Sequence, residues 1–293
     1  MTTNRAGGSQ PPSREVPALE AARLALGMRR LLWFAGLLVF LAGVQLFVFT
    51  ERTATHFAWT IEVPLTAAFL GAAYWASAVF EWRAARELLW ANARIAVPTV
   101  FLFTTLTLIA TLLHLDLFHL GGAFSLATQA VTWAWIAIYA FVPVAMVSVA
   151  IGQRRAARLD PPRTSVLAGW VVALLLGQAL VMFVVGAWLF LEPGAASLWP
   201  WALTPLTGRA VGAWVLGLAL CAAHCLLEKD ARRLRPAAAG YLAFPILQAV
   251  ALARYPDAIE WGSVQATLYF VFLVGFVVTG AALSFAKPAL RAA

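Results

Sequence analysis

The sequence predicts an all-α membrane protein of eight spanning helices in two tandem four-helix repeats, and three observations carry that expectation. Composition is the first: of 293 residues, 62% are hydrophobic and only 12% charged, far from the balance of a soluble domain. The second is a set of eight apolar runs of roughly twenty residues, the length that crosses a bilayer. The third is internal similarity. FAWTIEVPLTAAFLGAAYW, Phe57 to Trp75, shares its core with LWPWALTPLTGRAVGAW, Leu198 to Trp214, so that Pro64, Leu65, Thr66 and Gly71 fall on Pro205, Leu206, Thr207 and Gly212 at an offset of 141.

At this offset 15 of the 66 positions from Glu51 to Asp116 are identical, against roughly 5 expected by chance in an Ala- and Leu-rich chain. The matches include Glu87 with Glu228, Arg94 with Arg235, Phe103 with Phe244 and Asp116 with Asp257. The expected organisation is a disordered segment over residues 1–17, a first repeat over 18–155 and a second over 156–293. Each repeat holds an even number of spans, so both copies have one orientation and a pseudo-two-fold axis along the membrane normal.

The eight expected spans are Leu31 to Phe49, Phe57 to Phe80, Ile95 to Leu115, Leu126 to Ile151, Val166 to Leu191, Ala210 to Leu227, Ala237 to Ala253 and Val264 to Ala286. Met1 to Pro17 is polar and rich in Gly, Ser and Pro, with too little apolar surface to fold. No cleavable leader is expected, because the first apolar run is long enough to span. From Ala18 the strong helix formers predict that the first span extends into the cytoplasm or bends along the membrane surface. Pro64 and Pro205 suit a first helical turn, and Thr204 is a natural N-cap for the later copy. Trp59, Trp199 and Trp201 sit where an interfacial aromatic belt would place them. Ala67 with Gly71, and Gly208 with Gly212, form small-residue strips that predict close helix crossings; the second and sixth spans are expected to meet there. Glu81 to Arg94 and Glu228 to Arg235 read as basic interfacial loops.

With the N-terminus inside, 18 of the 21 Lys and Arg residues fall on the cytoplasmic side, leaving Arg52, Arg209 and Arg254 outside. This satisfies the positive-inside rule in every loop and puts both termini in the cytoplasm. The net charge of +8 follows from that topology and the anionic inner leaflet, so nucleic acid is not needed as a partner. The lipid bilayer is the expected partner, alongside a small-molecule or ion ligand, a protein partner or a second copy. Cys221 and Cys225 stand one helical turn apart at the reducing side, which argues against a structural disulfide.

Ionisable groups within spans are expensive and therefore candidates for function. Glu62 and Arg209 lie at the outer ends of the matched helices and are expected to face one another, as an ion pair or a ligand site. Gln129 and Gln265 occupy matched places in the fourth and eighth spans and are the amides closest to a substrate route; the other embedded glutamines read as links between helices. His114, Asp116 and His119 carry residue types that bind divalent metals, at a spacing that matches no strong motif. Cys221, His224 and Cys225 read as core and interface residues. The cofactor is unknown. Walker, G-x-S-x-G, H-E-x-x-H and dinucleotide signatures are all missing from the sequence, as is a pair of carboxylates midway through a span, so standard pumps and intramembrane proteases find little support.

The combination of FAWTIEVPLTAAFLGAAYW, LHLDLFHL and WPWALTPLTGRAVGAW resembles a family of uncharacterised bacterial polytopic membrane proteins, over most of the chain after its polar start. That resemblance implies an inner-membrane bundle in a bacterium. It brings no activity and no functional residues. The reading the residues favour is a membrane-embedded binding or transport protein with its site between the repeats toward the outer face. The alternatives are a non-catalytic scaffold or assembly subunit, and a metal- or haem-dependent membrane enzyme or redox accessory protein.

Overall fold

The computed structural model describes residues 21–156, 159–192 and 199–286. The expected disorder of 1–17 and the C-terminal tail fall outside them. Eight long helices follow in order: α1 (Leu26–Gly43), α2 (Pro64–Ala85), α3 (Ala96–Leu113), α4 (Leu126–Ala156), α5 (Gly169–Leu191), α6 (Pro205–Glu228), α7 (Arg235–Arg254) and α8 (Val264–Phe285). No named strand occurs among the described residues.

Seven of the eight are long and apolar enough to cross a membrane; α2 is the exception. Its sequence carries Tyr74, Trp75, Ser77, Glu81 and Trp82 among many alanines, and 16 of its 22 residues are buried. A helix wrapped by other helices need not be lipid-soluble itself. By contrast α5 and α8 expose Phe183, Leu180, Val271 and Leu268, each by more than half. Apolar surface on that scale marks a lipid-facing protein.

The helices begin and end for local reasons. Pro64 and Pro205 both occupy the first turn, where a missing N–H leaves nothing unsatisfied. Thr204 caps α6 as expected: its hydroxyl accepts from the Thr207 N–H while Thr207 accepts from the Thr204 N–H, a reciprocal capping arrangement. Lys229 closes α6 in the left-handed region at φ 49°. Pro143 and Pro245 lie inside α4 and α7, as bundled membrane helices tolerate.

Several sequence expectations are corrected here. The chain before α1 does not extend the helix. It runs extended, with Leu24 N donating to Leu88 O at 2.9 Å and Trp90 N donating to Ala22 O at 2.9 Å. The same stitch recurs before α5, where Leu167 N donates to Lys229 O at 3.2 Å and Ala231 N to Ser165 O at 2.8 Å. Helix α2 begins at Pro64, as the proline suggested, but continues past Phe80 to Ala85, so Glu81 lies inside a helix and not in a surface loop. Trp59, Trp199 and Trp201 are buried instead of forming a belt. They fold over helix ends, Trp59 against Phe57 and Trp135, and Trp201 with its indole N–H donating to Thr66 Oγ1 at 2.9 Å.

The small-residue strips do mark close crossings, but within each hairpin and not between α2 and α6. A Cβ on Gly71 would stand 2.5 Å from the Phe47 backbone nitrogen, in the π-helical segment Val44–Val48 that continues α1. One on Gly212 would stand 2.9 Å from Gly186 O of α5. Gly36 and Gly43 of α1 likewise leave room for the Trp82 and Trp75 rings of α2, whose indole N–H groups donate to Trp33 O and Phe40 O. Helix α1 thus packs on α2, and α5 on α6. Helix α2 also packs along α7, and α6 along α3.

Candidate functional site

Four helices, α2, α3, α6 and α7, enclose a cavity of about 50 Å³. Its wall pairs Ala76 with Gly217, Thr99 with Gly240, Val100 with Tyr241 and Phe103 with Phe244, each pair separated by 141 positions. The cavity is mainly apolar, and its polar edge consists of Ser77, Thr99, Cys221 and Tyr241. Thr99 is spoken for, its hydroxyl donating to Ile95 O at 3.0 Å. The Tyr241 hydroxyl is buried and has no partner among the described residues.

Beside this cavity lies a polar row that sequence reasoning missed. Tyr74, Ser77 and Glu81 are spaced i, i+3 and i+7 on α2, which puts them on one helix face. Ser77 Oγ donates to Glu81 Oε1 at 2.9 Å, and the Tyr74 and Tyr139 hydroxyls share a hydrogen bond from α2 to α4. Glu81 is 1% exposed, and its Oε2 has no donor among the described residues. Its neighbours Trp82, Arg83 and Arg86 made the stretch look interfacial. The signal available in the sequence was the i, i+3, i+7 spacing itself.

A second and much larger space is a groove of about 460 Å³ between α5 and α8, with Trp199 and Pro200 also in its lining. Gly177, Met182, Leu268 and Phe272 supply apolar walls. Gln178, Gln265 and Tyr269 supply the polar side chains. Gln178 Oε1 accepts from Thr279 at 3.0 Å, but Gln178 Nε2 and the Trp199 indole N–H are buried without partners among the described residues. Tyr269 donates to Gln248 Oε1 at 3.0 Å, and Gln248 Nε2 donates to Phe69 O at 3.1 Å. That chain ties α8 through α7 to α2.

Of the residues singled out from the sequence, the structure brings few together. The expected facing of Glu62 and Arg209 is not formed: Glu62 is exposed, and Arg209 Nη1 donates to His114 Nε2 at 2.6 Å. His119 is buried and held as a structural group, its Nε2 3.0 Å from Thr60 Oγ1 and its Nδ1 2.9 Å from Phe57 O. Asp116 is exposed. His114, Asp116 and His119 therefore do not converge, and no group of three or more His, Cys, Asp or Glu side chains suited to a metal occurs among the described residues. Gln129 bonds locally, its Nε2 donating to Phe124 O at 2.9 Å; Gln265 alone of the four ligand candidates lines a large space. Cys221 and Cys225 are free and buried, and His224 approaches Glu228 at 3.5 Å.

At the opposite, basic end a charge cluster clamps the two halves of the chain. Arg94 Nε donates to Glu228 Oε1, and its Nη1 reaches Asp160 Oδ2 at 2.6 Å. Arg233 Nη1 binds Glu228 Oε2 at 2.8 Å, and Arg163 Nε donates to Glu228 O at 2.6 Å. Asp230 Oδ2 accepts from the Thr164 and Ser165 N–H groups at 2.6 and 2.8 Å. These charges are consumed by one another and by backbone, so they read as a clamp and not as a ligand site.

Comparison of the chain with family models, with curated proteins and with solved structures gives no match.

Proposed function

We propose that this chain is a membrane-embedded binding or transport protein for a small amphipathic molecule, and that its ligand occupies the groove between α5 and α8. One observation carries this reading: a space of about 460 Å³ within the range of small-molecule sites, mainly apolar, with two buried donors in its wall that have no partner among the described residues. Those donors, Gln178 Nε2 and the Trp199 indole N–H, suit a ligand that combines an apolar body with a carbonyl-type acceptor oxygen. A purely apolar occupant would leave both unsatisfied, at a cost of about 1–3 kcal/mol each.

The architecture we propose around it is eight spans in two tandem four-helix repeats, with α2 as the shielded eighth span and a pseudo-two-fold axis along the membrane normal. The supports are the 141-residue offset between cavity-lining partners, the recurrence of the extended stitch before α1 and α5, and the corresponding packing of α2 on α7 and of α6 on α3. In this reading both termini are cytoplasmic, the basic clamp faces the cytoplasm and Trp199 faces outside. Transport would proceed by one repeat rocking against the other, as in carriers built from parallel repeats.

Native mass spectrometry of protein gently extracted from its own membranes tests the reading. Gly177 lines the groove, and nothing lies within 4 Å of a Cβ built there, so Gly177→Phe should fill the space without clashing. A bound small molecule present in the wild type and lost in Gly177→Phe is the expected result. A ligand-free wild type, or a molecule retained equally by both proteins, defeats it.

A further inference from the structure

The buried carboxyl of Glu81 has no part in the groove, and its surroundings define a second site. Its environment states the problem: it is 1% exposed, Oε1 accepts only from Ser77, and Oε2 has no partner among the described residues. The ion pairs of the described residues all lie in the cluster of Arg94, Asp160, His224, Glu228 and Arg233, and none includes Glu81. An isolated carboxylate in such a place costs several kcal/mol, and a group so placed takes up a proton rather than hold its charge. An ionisable residue within a bundle at membrane depth is a functional candidate whose counterpart must be named.

The groups on the surrounding elements do not provide a cation. Tyr139 on α4 lies within electrostatic reach and bonds to Tyr74. Cys221 on α6 and Tyr241 on α7 line the cavity that Ser77 also lines. Arg29 of α1 donates from Nη2 to Glu87 O, and its buried Nε has no partner among the described residues, Glu81 included; Arg94, which leads into α3, is bound to Glu228 and Asp160.

From this geometry we propose that Glu81 is a proton-binding site in the interior of the helix bundle, loaded and emptied through Ser77 and the cavity shared by α2, α3, α6 and α7. The cavity's roughly 50 Å³ is room for water, which needs about 10–15 Å³ of such volume per molecule and two or more polar partners. Ser77 Oγ and the unpartnered Tyr241 hydroxyl are those partners. In loading, a hydronium in the cavity gives a proton to Ser77 Oγ as the Ser77 hydroxyl proton passes to Glu81 Oε1. A water and a neutral carboxyl result, and unloading is the reverse. The site stands on different residues from the groove and does not depend on it.

Infrared spectroscopy of the full-length protein in lipid bilayers tests this directly. At neutral pH the wild type should show the carbonyl stretch of a protonated carboxyl, shifted in heavy water, which Glu81→Gln removes and Glu81→Asp moves without removing. Ser77→Ala should leave the band in place and slow its response to a pH jump by tenfold or more. Identical carboxyl regions in wild type and Glu81→Gln would mean an ionised Glu81 and overturn the proposal. Should Glu81→Gln not fold, an unmoved band in Glu81→Asp overturns it equally. Loss of the band on adding sodium at constant pH would replace the proton with a metal cation and also overturn it.

Discussion

Arg209 Nη1 donates to His114 Nε2 at 2.6 Å, joining the start of α6 to the end of α3, and the bond forms only while that nitrogen carries no proton. His114 is only partly buried, yet burial first and the Arg209 charge second hold its imidazole below its ordinary range. A depressed folded value means that the unfolded chain binds the proton more readily. The stabilisation is therefore fully present above the unfolded value of about 6.5 and is lost as pH falls from there through the folded value. The thermal midpoint of the wild type should drop over that window more steeply than that of His114→Gln, which keeps an acceptor for Arg209 without titrating. Parallel curves would show that the bond contributes nothing.

Breaking the clamp at the basic end should be among the costliest single changes. Glu228 is 3% exposed and binds both Arg94 and Arg233, so Glu228→Ala removes the buried carboxylate the two share and leaves both guanidinium groups to the more open Asp160. Loss of one partner of a buried charge set costs about 3–5 kcal/mol. Asp160→Ala, at a half-open position with 38% side-chain exposure, should cost below about 1 kcal/mol. Denaturant titration in detergent compares the two, and equal losses would show that Glu228 is not the hub.

The hairpin crossings make opposite predictions for glycines that look alike in sequence. Gly71→Ala places a methyl against the Phe47 backbone and Gly212→Ala one against Gly186 O. Neither backbone can yield freely, so each should lose about 1–3 kcal/mol. A Cβ on Gly152 meets nothing within 4 Å, and Gly152→Ala should be neutral or slightly stabilising because it lies in the interior of α4. The thermal midpoints of the three variants, measured side by side, check this.

Gln248 is wholly buried and links Phe69 O on α2 to Tyr269 on α8. Gln248→Leu keeps the volume and deletes both bonds, leaving the Tyr269 hydroxyl without its acceptor and Phe69 O with its helical bond alone. A loss of about 1–2 kcal/mol is expected, the scale of interhelical hydrogen bonds in membranes. Reversible unfolding in mixed micelles reads it, and an unchanged stability would show that both groups find other partners.

Much of this fold is legible along the chain because it depends on periodic and local features. Apolar length announced seven of the helices, and Pro205 with Thr204 and Thr207 announced the start of α6. Gly71 and Gly212 announced close crossings. What local pattern could not say is which helix each strip would meet. That choice is made by complementary surfaces, as when Gly36 and Gly43 of α1 receive the Trp82 and Trp75 rings of α2.

The sequence by itself determined that the chain is helical and lipid-facing, since twenty-residue apolar runs leave the backbone no other way to satisfy its hydrogen bonds in hydrocarbon. Tertiary structure alone decided which polar residues are exceptional. Glu62, Arg209 and His119 looked exposed to function from their position, yet one is at the surface, one bonds to His114 and one is a structural link. Glu81, set among Trp82 and two arginines, looked interfacial and is buried. Burial is a property of what packs against a side chain, and for α2 that packing comes from helices as distant in sequence as α7.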